Sequence, residues 1–352
     1  MVKGLKNYFP MIRTKNEILQ EIRQNENLNN VFNSWREEQQ KEFLDFTSGI
    51  KGVKILYDAF FKEIFNPENK PERLETLLSL LLGQKVKIKR ILPGDNSRLA
   101  DESSLLLMDI LVELEDGSLA NVECQKIGYK FPGQRCACYS ADLLLRQYKR
   151  VRDEKGKTFS YKDIKKVYTI VLLETSTVEF HKFPNDYVHY AKPHVDTGLE
   201  LELLQEYVFI PLDIFRQKLY NKGIVTPLEA WLTFLSEDDP MWIEKMIQQY
   251  PEFIPLYGEV YAICKNVERV MGIFSEELQI LDRNTVQLMI DDMQDDIDGM
   301  KALLGQKDKA LLQKDEELLQ KDEELLQKDN LVNQQSEEIK RLKNRLEELT
   351  TD

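Results

Sequence analysis

Apolar positions recur at two periods along this chain, and the change from one to the other divides it. Residues 1–52 read as helical and polar. Thr14-Lys15-Asn16-Glu17 has capping-box spacing, and Ile18, Leu19, Ile22 and Leu28 behind it give a partial apolar face. A second helical stretch runs from Phe32 to Phe46, and Gly49 and Gly52 punctuate its end. An aromatic-rich helix follows over residues 57–65, stopped by Asn66-Pro67. Leu74, Leu77, Leu78, Leu81 and Leu82 lie on one face of an amphipathic helix over residues 73–82, which Gly83 ends.

The period then drops to two. Val86-Lys87-Ile88-Lys89 predicts a strand with a basic face, residues 105–113 a second strand and residues 119–125 a third. The latter two are joined by the hairpin turn Glu115-Asp116-Gly117-Ser118. Pro132 opens a helix that runs to about Val151. Residues 166–173 (KVYTIVLL) are apolar enough for a central strand, and residues 203–210 predict one more. From about Phe215 to Leu281 the pattern is helical, interrupted near Pro240 and Pro251.

The last segment keeps a strict heptad. Ile290, Ile297, Leu304, Leu311, Leu318, Leu325, Val332, Ile339 and Leu346 are spaced by seven. The companion positions are apolar at both ends but lysine in the middle, from Lys307 to Lys328. Glu317–Lys321 and Glu324–Lys328 favour helix at i,i+4. The stripe predicts a coiled coil that joins copies of the chain; the alternative is a single solvated helix.

Charge sharpens this division. The net charge is −13, and the 67 residues from Val286 hold 18 acidic and 10 basic side chains, so that segment carries −8 of it. With no global basic surplus, nucleic-acid binding would need a local patch. Lys85, Lys87, Lys89 and Arg90 offer a candidate for tracking phosphates, against the plainer reading of a solvated strand face. Four cysteines without a CxxC pair predict free thiols. The three histidines lack metal-ligand spacing. No run of about 18 apolar residues predicts a membrane span, and there is no apolar core of signal-peptide length, so the expected setting is the cytoplasm.

The candidate chemistry sits on the hairpin. Asp109 interrupts the apolar run Leu105-Leu106-Leu107-Met108-Asp109-Ile110-Leu111-Val112, where an unpaired carboxylate is costly. Glu123 lies on the next strand. A two-residue turn would oppose Asp109 to Cys124 and turn Glu123 away. A three-residue turn with Gly117 left-handed opposes Leu114 to Ser118, and five residues further along each strand it opposes Asp109 to Glu123, with Cβ atoms about 5 Å apart. Two carboxylates that close need a proton or a divalent cation between them, and oxygen ligands suit Mg²⁺ or Mn²⁺. Gln125, on the same face as Glu123, can bond a water or a phosphate oxygen without supplying charge. Together these groups suffice for metal-assisted attack of water on a phosphodiester.

Tyr57-Asp58-x-x-Phe61-Lys62-x-x-Phe65, Met108-Asp109-Ile110, Asp116-Gly117, Asn121-Val122-Glu123-Cys124-Gln125 and Arg135-x-x-x-Tyr139, in that order, resemble the PD-(D/E)XK nuclease family transposases, relatives of bacterial recombination-promoting nucleases. The resemblance covers roughly residues 1–281 and is strongest over 53–173. It implies an α/β, restriction-endonuclease-like mixed sheet flanked by helices, cutting DNA with Mg²⁺ (or Mn²⁺ or Ca²⁺). Asp109 and Glu123 match the family's metal-binding acids, and Glu123-Cys124-Gln125 its E-x-Q element, where the wider superfamily has lysine in place of Gln125. Asp58 is a candidate third acid, or else an ordinary residue at a helix N-terminus. Arg135 and Tyr139 share a helix face and are candidates to contact phosphate or support Glu123; ion pairing with Asp142 is the structural alternative. The expected organisation is a helical region over 1–52, the nuclease-like core over 53–214, a helical accessory region over 215–285 and the coiled coil over 286–352. The expected partners are DNA and further copies of the chain. A nuclease fold that has lost catalysis and only binds DNA, or an interaction protein built on its coiled coil, is the rival reading.

Overall fold

The segments with strand periodicity meet in one six-stranded sheet. The computed structural model describes residues 4–92, 110–126 and 132–349. Its strands are β1 (Ile88–Ile91), β2 (Ile110–Leu114), β3 (Leu119–Gln125), β4 (Val167–Leu173), β5 (His189–Ala191) and β6 (Gln205–Pro211), in spatial order β1-β2-β3-β4-β6-β5. β3, β4 and β6 run parallel to one another, while β1, β2 and β5 are antiparallel to their neighbours. Residues 105–109 of the expected second strand lie outside the described residues.

The hairpin turn fixes the register on which the site depends. Gly117 has φ 86°, its N–H donates to Leu114 O at 2.9 Å, and Leu114 N–H donates to Ser118 O at 2.8 Å. This is the three-residue turn. Asp116 holds it by accepting from the N–H and the hydroxyl of Ser118 at 2.9 and 3.0 Å. The ladder then runs Glu113 opposite Leu119 up to Ile110 opposite Val122. An alanine Cβ at residue 117 would occupy a left-handed conformation and lie 3.2 Å from Lys165 Cγ. Gly117→Ala should therefore cost about 1–2 kcal/mol, read as a lower midpoint of chemical denaturation at unchanged slope.

Helices cover both faces of the sheet unequally. Before it come α1 (Lys15–Gln24), α2 (Glu26–Ser34), α3 (Glu37–Thr47), α4 (Asp58–Ile64) and α5 (Pro71–Leu82). The expected Thr14–Glu17 capping box opens α1, and Gly83, at φ 64°, closes α5. α6 (Pro132–Lys155) joins β3 to β4, and α7 (Val178–His181) follows β4. After β6 come α8 (Leu212–Lys222), α9 (Pro227–Ser236), α10 (Pro240–Gln249), α11 (Ile254–Cys264) and α12 (Val267–Leu349). Even-numbered side chains of β2, β3, β4 and β6, such as Val112, Val122, Ile170 and Val208, enter a large core. That core reaches from Leu5 to Phe274 and takes in the N-terminal helices and the first turns of α12. The odd-numbered face is covered by α6, where Tyr139 and Leu143 pack on Leu111, Leu119 and Val167, and Cys136 on Val171 and Leu173.

Two compact units result, Met1–Leu288 and Met289–Asp352. The second unit is helical, and its heptad residues Leu311, Leu318, Leu325, Val332 and Ile339 are all exposed. No helix among the described residues is long and apolar enough to cross a membrane.

Candidate active site

The odd face of β3 breaks the rule that a covered sheet face is apolar. Asn121, Glu123 and Gln125 alternate along it, and Thr169 stands beside Asn121 on β4; all four are buried. Glu123 Oε1 accepts from Gln125 Nε2 at 3.2 Å. Among the described residues, Glu123 Oε2, Gln125 Oε1, both amide atoms of Asn121 and Thr169 Oγ1 have no hydrogen-bond partner. Each such buried atom costs about 1–3 kcal/mol, where a valine would cost nothing of the kind. A row of them sets this face of β3 apart from a packing surface, since buried polar groups are ordinarily bonded.

α6 supplies the opposite wall. Arg135 Nη2 donates to Tyr139 OH at 2.9 Å, and its guanidinium lies 5.8 Å from the centre of that ring. Burial pushes the Glu123 carboxyl up to about 7, against the pull of the Gln125 hydrogen bond and the Arg135 charge. Glu123 in turn adds to the burial that raises the Tyr139 hydroxyl and the Cys136 thiol, so all three groups share one electrostatic environment. Asp142 pairs with Arg146 at 2.7 Å. Gln147, further along the helix, accepts from Lys165 N–H at 2.6 Å and serves the backbone there.

The remaining expected site residues have other placements. Asp109 lies outside the described residues; the last described ladder pair is Ile110 opposite Val122. Asp58, at the start of α4, accepts from Lys62 Nζ at 2.8 Å, and its N–H donates to Glu277 Oε2 at 3.0 Å. Among the described contacts none joins Asp58 to Glu123, and its carboxylate is held as a helix N-terminal residue pairs at i,i+4. Lys87 pairs with Glu75 at 2.6 Å and Lys89 with Glu113 at 2.8 Å, and Arg90 and Arg150 also reach Glu113. Lys87, Lys89 and Arg90 are thus balanced by acids of α5 and β2. A pair that local sequence does not reveal lies beside Gln125 in the chain: Lys126, just beyond β3, forms a buried ion pair with Glu277 of α12.

Two other clusters are not sites. His181 Nε2 lies 3.1 Å from Asp213 Oδ2 and 3.3 Å from Ser176 Oγ, but an acid–His–Ser relay needs one partner on each ring nitrogen. Cys136 is buried and Cys138 exposed, and none of the four cysteines forms a disulfide.

A mixed sheet with a hairpin feeding a parallel crossover, and a buried Glu-x-Gln on the strand between them, defines a nuclease-fold protein of the restriction-endonuclease-like α/β class. The family model described as PD-(D/E)XK nuclease family transposase matches residues 55–288, about two-thirds of the sequence, and the chain belongs to that family. No curated protein and no solved structure matches it.

Proposed function

We propose that this protein hydrolyses DNA phosphodiester bonds with a divalent cation bound where the odd face of β3 meets α6. The observation that carries the reading is the buried Glu123 carboxylate with one unpartnered oxygen, set in a row of unpartnered polar atoms. The donor set has the right chemistry. Carboxylate and amide oxygens are hard ligands that suit Mg²⁺, Mn²⁺ or Ca²⁺. Among the described residues no group of three acids, histidines or cysteines is gathered, so Glu123 needs a second acid, and Asp109 is the residue we assign to it. When bound, the cation would polarise the phosphate and lower the pKa of an attacking water. Gln125 orients that water or a phosphate oxygen through its free Oε1 side. Arg135, steadied by Tyr139, balances charge gathering on the phosphate. Asp58 is left out of the ligand set because Lys62 already occupies it. The test is nicking of supercoiled plasmid with Mg²⁺ or Mn²⁺ against EDTA; no metal-dependent cutting by the folded protein would refute it.

One observation favours a second reading, a fold that binds DNA without cutting. Gln125 supplies no charge, and its amide is already engaged by Glu123. DNA binding without nicking in any divalent ion would select that reading.

The exposed heptad stripe is the basis for proposing that the chain forms homo-oligomers through its tail. A stripe of leucines left in water costs about 1.5–3 kcal/mol for each side chain that association could bury. Leu311→Glu, Leu318→Glu and Leu325→Glu together should leave the full chain monomeric by light scattering. An unchanged mass would assign the tail to a single solvated helix.

A further inference from the structure

We propose that the α6–β4 connection is a docking surface for single-stranded DNA, built on a cluster of three aromatic rings ringed by cations; the proposal rests on the DNA reading above. In a chain of net charge −13, residues 146–166 hold nine Lys/Arg against three Asp/Glu. Several of these cations are spent locally: Lys155 pairs with Asp163 at 2.5 Å, Lys166 with Glu206 at 2.7 Å, and Arg150 with Glu113 at 2.9 Å. Arg152, Lys157 and Lys162 are exposed, and among the described residues no acid pairs with them. That differs from Lys87 and Lys89, which sit on Glu75 and Glu113.

The aromatic part is organised. Tyr148 and Tyr161 stack with centroids 6.0 Å apart and planes 12° apart, and Phe159 meets both edge-on at 5.5 and 5.4 Å. Arg152 lies 5.7 Å from the Tyr148 ring and bonds its hydroxyl. Tyr161 nevertheless stays 76% exposed. A ring braced from behind and open in front costs little entropy to dock against. An unpaired base has the flat π-face to match it, and its phosphate the charge to meet Arg152, Lys157 and Lys162. A duplex has the phosphates but keeps its base faces stacked inside. Along α6, the 13 residues from Tyr139 to Arg152 rise roughly 20 Å, the span of about six nucleotides. The patch would therefore hold a strand some six nucleotides from the bond at Glu123.

The test is fluorescence anisotropy of the full chain with a labelled 20-nucleotide strand and its duplex, in EDTA so that nothing is cut. Tyr161→Ala should weaken the single strand at least about fivefold and leave the duplex within about twofold. Arg152→Gln, Lys157→Gln and Lys162→Gln together should lower the salt slope for the single strand by about two. Both variants binding like the parent, with unchanged melting temperature, would overturn the proposal. So would displacement of the strand by polyglutamate of equal charge, or a parent protein that binds neither form of DNA. Loss of binding in these variants, with cutting never seen in the parent, would uphold this surface while the hydrolysis reading failed. Cutting by the parent with binding untouched in the variants would do the reverse.

Discussion

Glu123→Ala should reduce plasmid nicking by at least about a thousandfold, and Asp109→Ala by a comparable factor. The reasoning is electrostatic. A divalent ion supplies several kcal/mol of transition-state stabilisation, and each 1.36 kcal/mol is a factor of ten. Glu123 is the only carboxylate among the described residues on the polar row of β3, and its Oε2 has no competing partner. Removing it leaves amide and hydroxyl oxygens, which bind Mg²⁺ weakly without an anion. Glu123→Gln keeps the shape and removes only the charge, so it should be as inactive as the alanine variant while remaining folded. Mutation of Gln125 should cost less, since it orients and does not neutralise. Single-turnover cutting at saturating Mg²⁺ separates lost metal affinity from lost chemistry. Undiminished cutting by both Glu123→Ala and Asp109→Ala would remove the acidic pair from the mechanism. Loss with Glu123 alone would mean that Asp109 is not the second ligand.

The register needed for that pair was legible because two local signals agree. Strict alternation fixes which face each residue takes, and a glycine in third place selects a left-handed turn position. Gly117 adopts it. Elements failed to show in the sequence where distant groups take over. The first strand was expected at Val86–Lys89 but β1 spans Ile88–Ile91. Side chains of α5 capture the backbone leading into its first residue: Val86 N–H donates to Ser79 Oγ and Ile88 N–H to Glu75 Oε1, each at 2.9 Å. The expected helix through Phe32 to Phe46 breaks at Trp35, whose extended backbone sends the indole among Phe32, Phe43 and Phe274. β5 has three residues, too few for a period to register. The break between α8 and α9 did carry a signal, Gly223 followed by the Thr226–Glu229 capping box.

The site was half legible for a related reason. Glu123 and Gln125 stand out by spacing and by family likeness; Asn121 belongs to the same motif but gets no role from it, and nothing in the sequence singles out Thr169. A lone Asn or Thr within an apolar strand reads as a weak exception until both are seen side by side and unbonded. Lys126 and Glu277 are 151 positions apart, beyond any local pattern. Lys87 and Lys89 are visible as charges in the sequence, but Glu75 and Glu113, which balance them, come from α5 and β2. Local sequence shows what a residue carries; only the fold shows how much of that charge is left over for a ligand.

Without added metal, the contribution of Glu123 to stability should fall as pH rises from about 4.5 to about 7. Its carboxyl has an ordinary value of 4.5 in the unfolded chain and about 7 in the fold, with burial as the cause. Between those values the folded protein holds a proton that the unfolded chain releases, so rising pH favours unfolding. Above about 7 the penalty is complete, and the gap corresponds to roughly 3 kcal/mol. Glu113 and Glu229 are shifted the opposite way, and their stabilisation is lost only as pH falls below the ordinary carboxylate range. Glu237 and Glu277 are raised by burial and add to the same trend, so the wild-type slope alone does not isolate Glu123. The difference between wild type and Glu123→Gln does, because the amide does not titrate. That difference should move by roughly 3 kcal/mol in favour of the variant between pH 4.5 and pH 8 in EDTA, measured by chemical denaturation. Mg²⁺ should reverse it at pH 8, since a cation that binds the ionised carboxylate in the folded state alone stabilises that state. The variant should gain nothing from the ion. A pH-independent difference in EDTA would mean that water reaches Glu123, and equal stabilisation of both proteins by Mg²⁺ would place the ion elsewhere.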